Sequence, residues 1–384
     1  MKIGILTLPL HVNYGGILQA YALQTVLTRL GHEPEVINTH FLDIFNRLPP
    51  RWKRPLTYGK RTVKKVLIDR KTVIRRELKA RHDYIVMSQH TQQFIDKYIR
   101  SHYVLSPSEL HEGDFDCIVV GSDQIWRPRF YPKAWGEDKT NAFLAFAKGW
   151  DVRRIAYGAS FGVDEWEFPE EHGEEYAALA QLFDAVSVRE DSGVALCRDH
   201  LGVTAEHVLD PTMLLSADDY KALIDAAGVP QHDGNMFCYV LDKDEEKATL
   251  IDTIARERSL KPYHINDGMV NRTAPLVERV HPPVETWLRA FADARFVVTD
   301  SFHGCVFSII FGKPFVAIGN VERGLSRMES LMRLFGLEDH LLTDTSQYNP
   351  ASSYGQPAAA RQRLEQMQAK SLTFLKQINN LQTK

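Results

Sequence analysis

A single histidine, His303, lies where a short apolar stretch changes into a helical pattern. Residues 296–299 (FVVT) are apolar and β-branched, which is typical of a buried strand, and Ser301 or the preceding Asp300 can cap a following helix. In an open α/β sheet this junction lies in the crevice at the carboxyl ends of the strands, where ligands bind. A helix N-terminus favours an anion, and a histidine can exchange protons near neutral pH. The sequence predicts an anion site there, with a locally hydrogen-bonded histidine as the alternative.

Polar residues follow several other predicted strands at the same edge of their sheet. They are Asn13, Tyr14, Gly15, Gly16, Ser122, Asp123, Gln124, Ser160 and Arg189. Each alone can be explained as a cap or turn residue, but together they predict one interdomain cleft. Arg323 and Arg327 follow the next strand, and a guanidinium group suits a carboxylate or a phosphate. We therefore expect a small, highly anionic substrate, although each arginine alone could equally form a surface ion pair.

Other chemistries find little support in the sequence. His303 and Cys305 are two residues apart at a helix start, so their side chains point in different directions and a nucleophilic pair is disfavoured. The metal-ligand and paired-carboxylate patterns of zinc enzymes and glycosidases are absent, and no metal site is predicted. Residues 13–16 (NYGG) match neither a dinucleotide fingerprint nor a phosphate loop.

The alternation of strands and helices predicts an α/β protein with two doubly wound, Rossmann-like domains that face each other across a cleft, an architecture called GT-B-like. We place an N-terminal α/β domain at residues 1–215, with a basic helical insertion at about 47–103, and a C-terminal α/β domain at 216–345. A terminal helix at 358–382 is expected to pack back across the domains.

Composition is that of a globular protein with more than one core. The chain has 384 residues, of which 44% are hydrophobic and 25% charged. Its four cysteines form no CxxC pair, which argues against a disulfide framework and suits a reducing cytoplasm. The apolar N-terminus lacks a signal-peptide cleavage pattern and is read as a first strand. We expect a cytoplasmic protein.

Charge is concentrated in one segment. Residues 47–81 contain fourteen Lys or Arg against two acidic residues, whereas the net charge of the whole chain is only −3. Such a segment is often a solvated helical face. Alternatively, it binds an anionic partner such as a lipid-diphosphate carrier, an acidic glycan or the inner membrane surface, with possible peripheral membrane contact through residues 47–81. Nucleic acid is not expected, because no base-stacking motif is present.

Several motifs, in order, resemble those of the polysaccharide pyruvyl transferase family. They are NYGGILQAYAL at 13–23, VVGSDQIW at 119–126, SFG at 160–162, SVRE at 187–190, LDPTMLL at 209–215, TDSFHGCVFSIIFGKPFVAIGN at 299–320 and RGLSRMESLMRLFGL at 323–337. The resemblance implies a GT-B-like fold and transfer of pyruvate from phosphoenolpyruvate to two hydroxyls of one sugar. Phosphoenolpyruvate is then a donor substrate, no cofactor is needed, and the acceptor is a glycan or a lipid-linked sugar.

The resemblance also implies roles for individual residues. His303 matches the histidine that serves as general acid, and Arg189 matches an arginine that binds the donor. Arg323 stands where relatives have a lysine, with Arg327 as a second donor-binding candidate beside Ser301. Some members carry an Arg-Leu pair before the histidine where this chain has Ser301 and Phe302, so Arg323 or Arg327 is expected to substitute for that arginine.

Two other functions stay open at the level of sequence. One is a GT-B glycosyltransferase that uses a nucleotide sugar, although no acidic residue is clearly placed to hold a ribose. The other is a catalytically silent module that binds a phosphorylated metabolite or a glycan.

Overall fold

The computed structural model describes residues 1–39, 49–70, 72–131, 139–265, 273–320 and 324–379. In these residues, two parallel sheets form, one in each half of the chain. The prediction of an α/β protein built from two doubly wound domains in a GT-B-like arrangement is confirmed.

The first sheet has seven strands in the order β3-β2-β1-β4-β5-β6-β7, and every neighbouring pair is parallel. The strands are β1 (Lys2–Leu6), β2 (Glu33–Asn38), β3 (Ser101–Tyr103), β4 (Cys117–Val120), β5 (Arg153–Ala159), β6 (Ala185–Val188) and β7 (Glu206–His207). All four residues of β4 are buried, as expected for a central strand that helices cover on both faces. The carboxyl ends of β1, β4, β5 and β6 therefore lie along one edge, where the predicted polar residues follow them.

The second sheet has five parallel strands in the order β12-β11-β10-β8-β9. They are β8 (Met236–Tyr239), β9 (Pro262–Tyr263), β10 (Phe296–Thr299), β11 (Phe315–Ile318) and β12 (Leu341–Leu342). The strand that precedes His303, β10, is buried throughout and lies in the middle of the sheet.

Helices connect the strands. In the N-terminal half they are α1 (Tyr14–Arg29), α2 (Arg54–Leu67), α3 (Arg76–Met87), α4 (Gln89–Tyr98), α5 (Gly173–Ala180) and α6 (Asp191–Leu196). In the C-terminal half they are α7 (Ala217–Ala227), α8 (Glu245–Glu257), α9 (Val284–Asp293), α10 (Phe302–Ile310), α11 (Leu325–Phe335) and α12 (Ala358–Lys376). The last helix packs against the first half, since Ser371 accepts a hydrogen bond from the backbone of Leu209 at 3.0 Å.

The two halves share one hydrophobic core beside the cleft. At the start of α1, the ring of Tyr14 stacks on Trp287 of α9 with 5.5 Å between the centroids, and its hydroxyl donates a hydrogen bond to Pro282. Gly324, just before α11, lies directly against the backbone of Gly162, and a Cβ atom at position 324 would overlap that backbone. The strand ends of the two sheets are therefore held close together.

The helices of the basic insertion end a few residues before its approximate predicted bound. The helical insertion was expected to reach about residue 103, but its last helix, α4, ends at Tyr98, and β3 (Ser101–Tyr103) is the edge strand beside β2. The three residues of β3 are too few to show an alternating apolar and polar pattern, so the sequence alone does not predict a strand there. They form one because they pair with β2. The predicted terminal helix ends at Lys376, followed by a turn to Asn379, and its last predicted residues lie outside the described ones.

Candidate active site

Three helices begin at the same small cavity between the two sheets. The residues that precede α1, α10 and α11 are Asn13, Ser301 and Gly324, and all three line the cavity. None of the three helices has an acidic residue in its first turn. Because each helix N-terminus carries a partial positive charge and free N–H groups, the cavity is electrostatically suited to an anion.

The cavity has a volume of about 150 Å³. Its lining combines the strand ends of both domains and consists of Asn13, Asp123, Gln124, Phe130, Leu241, Asp300, Ser301, Phe302, His303, Gly324, Arg327 and Met328. The charge of Asp300 is already compensated, since its carboxylate accepts hydrogen bonds from two backbone N–H groups and from Lys247. Asp300 therefore needs no charge compensation from the cavity.

His303 is held in the first turn of α10 by contacts with the other domain. Its imidazole packs directly on Gly15, where a Cβ atom would overlap the ring. Its Nε2 lies 3.7 Å from Oδ2 of Asp210 and, in the part of the chain that the structure describes, has no hydrogen-bond partner. Since the side chain is almost fully buried and still lines the cavity, His303 can exchange a proton with a bound molecule there.

Asp210 links His303 to a buried arginine. Nη1 of Arg189 donates to Asp210 at 2.7 Å, and Nη2 donates to Asp123 at 3.2 Å. Burial raises the pKa of Asp210, but His303, Arg189 and Thr212 more than offset it, so the pKa lies well below its ordinary value. For Asp123, burial is likewise outweighed by Arg189, and the pKa is lowered. Both groups are therefore carboxylates at neutral pH, beside His303.

Arg327 is the buried cation that reaches the cavity. Burial lowers its pKa to about 10, and the nearby positive charge of Arg189 adds to the effect, so it stays charged at neutral pH. The ring of Phe302 lies 5.2 Å from Cζ of Arg327 and 4.8 Å from Cζ of Arg189. A phenyl ring thus contacts both cations.

The structure brings about half of the predicted site residues to the cavity surface. Asn13, Asp123, Gln124, Ser301, His303 and Arg327 line it, whereas Tyr14, Gly15, Gly16, Ser122, Ser160 and Arg189 are buried behind it. Tyr14 belongs to the shared core, and the hydroxyl of Ser122 donates to Gly158. Arg323 lies outside the described residues.

Arg189 is not exposed at the cavity, as direct contact with a donor would require. Its side chain has no exposed surface and does not line the cavity. Two carboxylates take its hydrogen bonds, so its role as a donor ligand stays a prediction, and the geometry favours a role behind His303.

Sequence reasoning assigned no role to several residues of the site. Asp210 stood in a quoted motif, and its position three residues after a short strand, directly before a proline, was the available signal. Phe302 was noted only as a departure, although an aromatic residue between a helix cap and a histidine can hold a cation. Gly324 gave no signal, because its contact with Gly162 depends on how the two domains meet.

The arrangement can bind a small anion and transfer a proton to it. In the described residues, no group of three or more His, Cys, Asp or Glu side chains is arranged to hold a metal ion. His303, Arg327 and the helix ends are the groups whose chemistry the cavity presents.

Comparisons with known proteins identify one family. A model described as "Polysaccharide pyruvyl transferase" matches residues 13–322. Among curated proteins, none matches the chain in sequence.

Solved structures share only the general fold. A UDP-GlcNAc 2-epimerase from Neisseria meningitidis, bound to UDP-GlcNAc, is 12% identical, with 96% of this chain and 100% of that chain covered and a TM-score of 0.45. A glycosyltransferase from Rickettsia africae is 11% identical, with 98% and 97% covered and a TM-score of 0.42. At these values the similarities tell nothing about activity.

Proposed function

This chain belongs to the polysaccharide pyruvyl transferase family, and on that premise we propose that it transfers pyruvate from phosphoenolpyruvate to two hydroxyl groups of one sugar. The product is a cyclic ketal on a sugar of a bacterial polysaccharide, such as an exopolysaccharide, or of its lipid-linked precursor. Phosphoenolpyruvate is the donor substrate, and no cofactor takes part. The observation that carries the proposal is the convergence of three helix N-terminal ends and Arg327 around His303.

The donor carries a carboxylate and a phosphate, and the cavity offers complementary positive groups. Arg327 presents a planar, charged guanidinium, and the first turns of α10 and α11 present backbone N–H groups. Ser301 caps α10 by accepting a hydrogen bond from Gly304 at 3.4 Å, which fixes the orientation of those N–H groups. Arg327 takes the place of the arginine that other members carry before the histidine. Arg323 remains a further donor-binding candidate.

His303 supplies the proton that starts the reaction. A C–H bond forms at the methylene carbon of phosphoenolpyruvate, and the adjacent carbon becomes an oxocarbenium-like centre that the first sugar hydroxyl attacks. The C–O bond to phosphate breaks with its electron pair on the phosphate, and the second hydroxyl closes the ketal. Of the two hydroxyl protons, one restores the proton that His303 gave to the methyl group, and the other leaves with the hydrogen phosphate. A positioned general acid typically contributes 10²- to 10⁴-fold to such a step.

Asp210 and Arg189 keep His303 ready for this role. Oδ2 of Asp210 lies 3.7 Å from Nε2 of His303. Arg189 donates to both Asp210 and Asp123 and so offsets part of the negative charge of these two buried carboxylates. We assign Arg189 this indirect role in preference to direct donor contact.

The acceptor sugar is expected on the more open side of the cavity. Asn13 is exposed there, and its side chain does not cap α1. The amide of Gln124 accepts a hydrogen bond from Arg127 at 3.1 Å and still offers donors to a sugar hydroxyl. These two residues are the proposed acceptor contacts.

The proposal includes a cytoplasmic location with a peripheral position at the inner face of the membrane. All four cysteines are buried free thiols, which favours a reducing compartment. Peripheral contact of residues 47–81 with an anionic membrane is part of the same proposal, because lipid-linked acceptors lie at that surface.

Ligand-induced thermal stabilisation tests the donor. We expect phosphoenolpyruvate to stabilise the protein by about 2.7 kcal/mol at 100 times its dissociation constant. A panel of nucleotide sugars, tested in parallel, should not stabilise it. The shift should disappear in Arg327→Gln and persist in His303→Ala, because the histidine acts on the bound donor. Turnover should be abolished in His303→Ala.

A different pattern would assign another function. A shift with a nucleotide sugar alone would make the protein a glycosyltransferase. Turnover that survives in His303→Ala would contradict the general-acid role, and binding of phosphoenolpyruvate without turnover of any sugar acceptor would indicate a silent binding module.

A further inference from the structure

The insertion helix α2 (Arg54–Leu67) turns an apolar stripe toward solvent. Large apolar side chains recur at helical spacing along α2 and the 3₁₀ turn Arg51–Lys53 before it. Their exposed fractions run from 55% to 76%, and we call them the outer stripe: Trp52, Leu56, Val63, Val66 and Leu67. No residue of α2 is buried.

The helix is attached to the protein by its polar face. Arg61 forms a two-pronged ion pair with Glu77 of α3, with both N–O distances at 2.7 Å, and also donates to the carbonyl of Ile74 at 3.1 Å. The side chains of Arg61 and Glu77 are only 17% and 13% exposed. On an α-helix, Arg61 lies on the side opposite Val63. A surface helix normally packs its apolar face on the core, so the inverted orientation of α2 indicates that its apolar face serves an external surface.

Positive charge flanks the outer stripe. Residues 51–70 contain eight Lys or Arg and one acidic residue. Lys60, Lys64 and Lys65 are exposed, and helical spacing places Lys60 and Lys64 beside the stripe. An apolar stripe bordered by lysines matches the boundary between acyl chains and anionic headgroups, where stems of lysine cover apolar surface and the ammonium groups stay in water.

The same features exclude a spanning segment. With fourteen residues, α2 is about 21 Å long at ~1.5 Å per residue. Among the described residues, no helix combines the length and the hydropathy that crossing a bilayer requires. A helix of this kind lies in the membrane plane.

We propose that α2 inserts its outer stripe into the surface of an anionic phospholipid membrane, with Lys60 and Lys64 at the headgroups. This goes beyond electrostatic attraction of a basic segment, because it requires the apolar side chains to leave water. Insertion is independent of the proposed reaction, since vesicle binding needs no turnover.

The inserted arm connects to the candidate active site. The carbonyl of Met87, at the end of α3, accepts a hydrogen bond from His281 at 2.9 Å. The next residue, Pro282, accepts from the hydroxyl of Tyr14, and Tyr14 precedes the glycine on which His303 packs. Membrane attachment would therefore hold the cleft near lipid-linked sugars, a consequence that rests on the proposed function.

Cosedimentation with vesicles tests insertion. The full-length protein is mixed with vesicles of phosphatidylcholine alone or with phosphatidylglycerol added. We expect binding only to the anionic vesicles. The triple variant Leu56→Ser, Val63→Ser, Leu67→Ser should lose at least tenfold in affinity, because it removes apolar surface without changing charge.

The chain offers a matched control. Leu105→Ser, Leu182→Ser, Val277→Ser removes two leucines and one valine that are exposed outside the insertion, and it should bind like the unchanged protein. Lys60→Gln, Lys64→Gln should bind about 25-fold more weakly, at roughly fivefold per lysine near an anionic surface. Tryptophan emission should shift to the blue on anionic vesicles, and Trp52→Phe should remove that shift.

The outcomes separate insertion from its alternatives. If the lysine variant loses binding but the outer-stripe variant binds normally and Trp52 emission is unchanged, the contact is electrostatic only and insertion is wrong. If the protein binds no vesicle and instead forms a dimer that the outer-stripe variant abolishes, the stripe is an interface with a second copy.

Discussion

The imidazole of His303 rests directly on the backbone of Gly15, although the two residues are 288 positions apart in the sequence. Gly15 lies in the first turn of helix α1 in the first domain, and His303 lies in the first turn of helix α10 in the second. A side chain at position 15 would occupy the volume of the ring. The glycine thus permits the two helix ends to meet around one cavity, and the position of the histidine depends on both domains.

Gly15→Ala should displace the histidine. The added methyl overlaps the ring, so His303 must move, and a misplacement of about 1 Å can cost about 100-fold in rate. We expect kcat to fall by that order while phosphoenolpyruvate still stabilises the protein. Gly173→Ala, which adds a methyl group in open space, is the control and should leave kcat unchanged. Unaltered kcat in Gly15→Ala would contradict the role of this contact.

The two buried arginines should respond differently to substitution. Arg189→Gln removes the partner of Asp210 and Asp123 and leaves buried carboxylates uncompensated, at a cost of about 3–5 kcal/mol in the free energy of unfolding. Arg327→Gln should keep most of the stability and raise the KM for phosphoenolpyruvate. Denaturant unfolding and steady-state kinetics measure the two effects. If Arg189→Gln is stable and weakens donor binding alone, the donor role expected from the sequence is correct.

Stability at acidic pH should report on Asp210. Its pKa is lower in the folded protein than its ordinary value near 3.8, so its charge contributes stability at neutral pH. That contribution declines as the pH falls from about 4 through the lowered pKa. The Asp210→Asn variant lacks this contribution. The unfolding free energies of the variant and of the unchanged protein should therefore differ at pH 7 and converge in acid. Burial raises the pKa of Glu190, which has the opposite pH dependence but acts equally in both proteins. If the unfolding free energies of the two proteins differ by the same amount from pH 7 down to pH 2, the charge of Asp210 does not stabilise the fold.

The features of this structure that the sequence predicts are those that depend on residues close together in the chain. The apolar run before Ser301 and the cap that follows it locate His303 at a strand–helix junction because both signals lie within ten residues. The pairing of Arg189 with Asp210 was not predictable, since it depends on how β6 and the loop after β7 align in the sheet. Periodicity likewise identifies α2 as amphipathic, but only the ion pair of Arg61 with Glu77 shows which face is turned outward.

Phe302→Leu should weaken donor binding through Arg327. The phenyl ring contacts both guanidinium groups, and a desolvated contact of this type is worth about 2 kcal/mol. Leucine keeps an apolar side chain but offers no ring face, so Arg327 should lose its fixed position and the KM for phosphoenolpyruvate should rise several-fold. Phe307→Leu is the matched control, because Phe307 is buried in the same helix and contacts the aromatic rings of Trp287 and Tyr220. It should lose comparable stability with an unchanged KM. Equal changes of KM in the two variants would show that Phe302 acts only through packing.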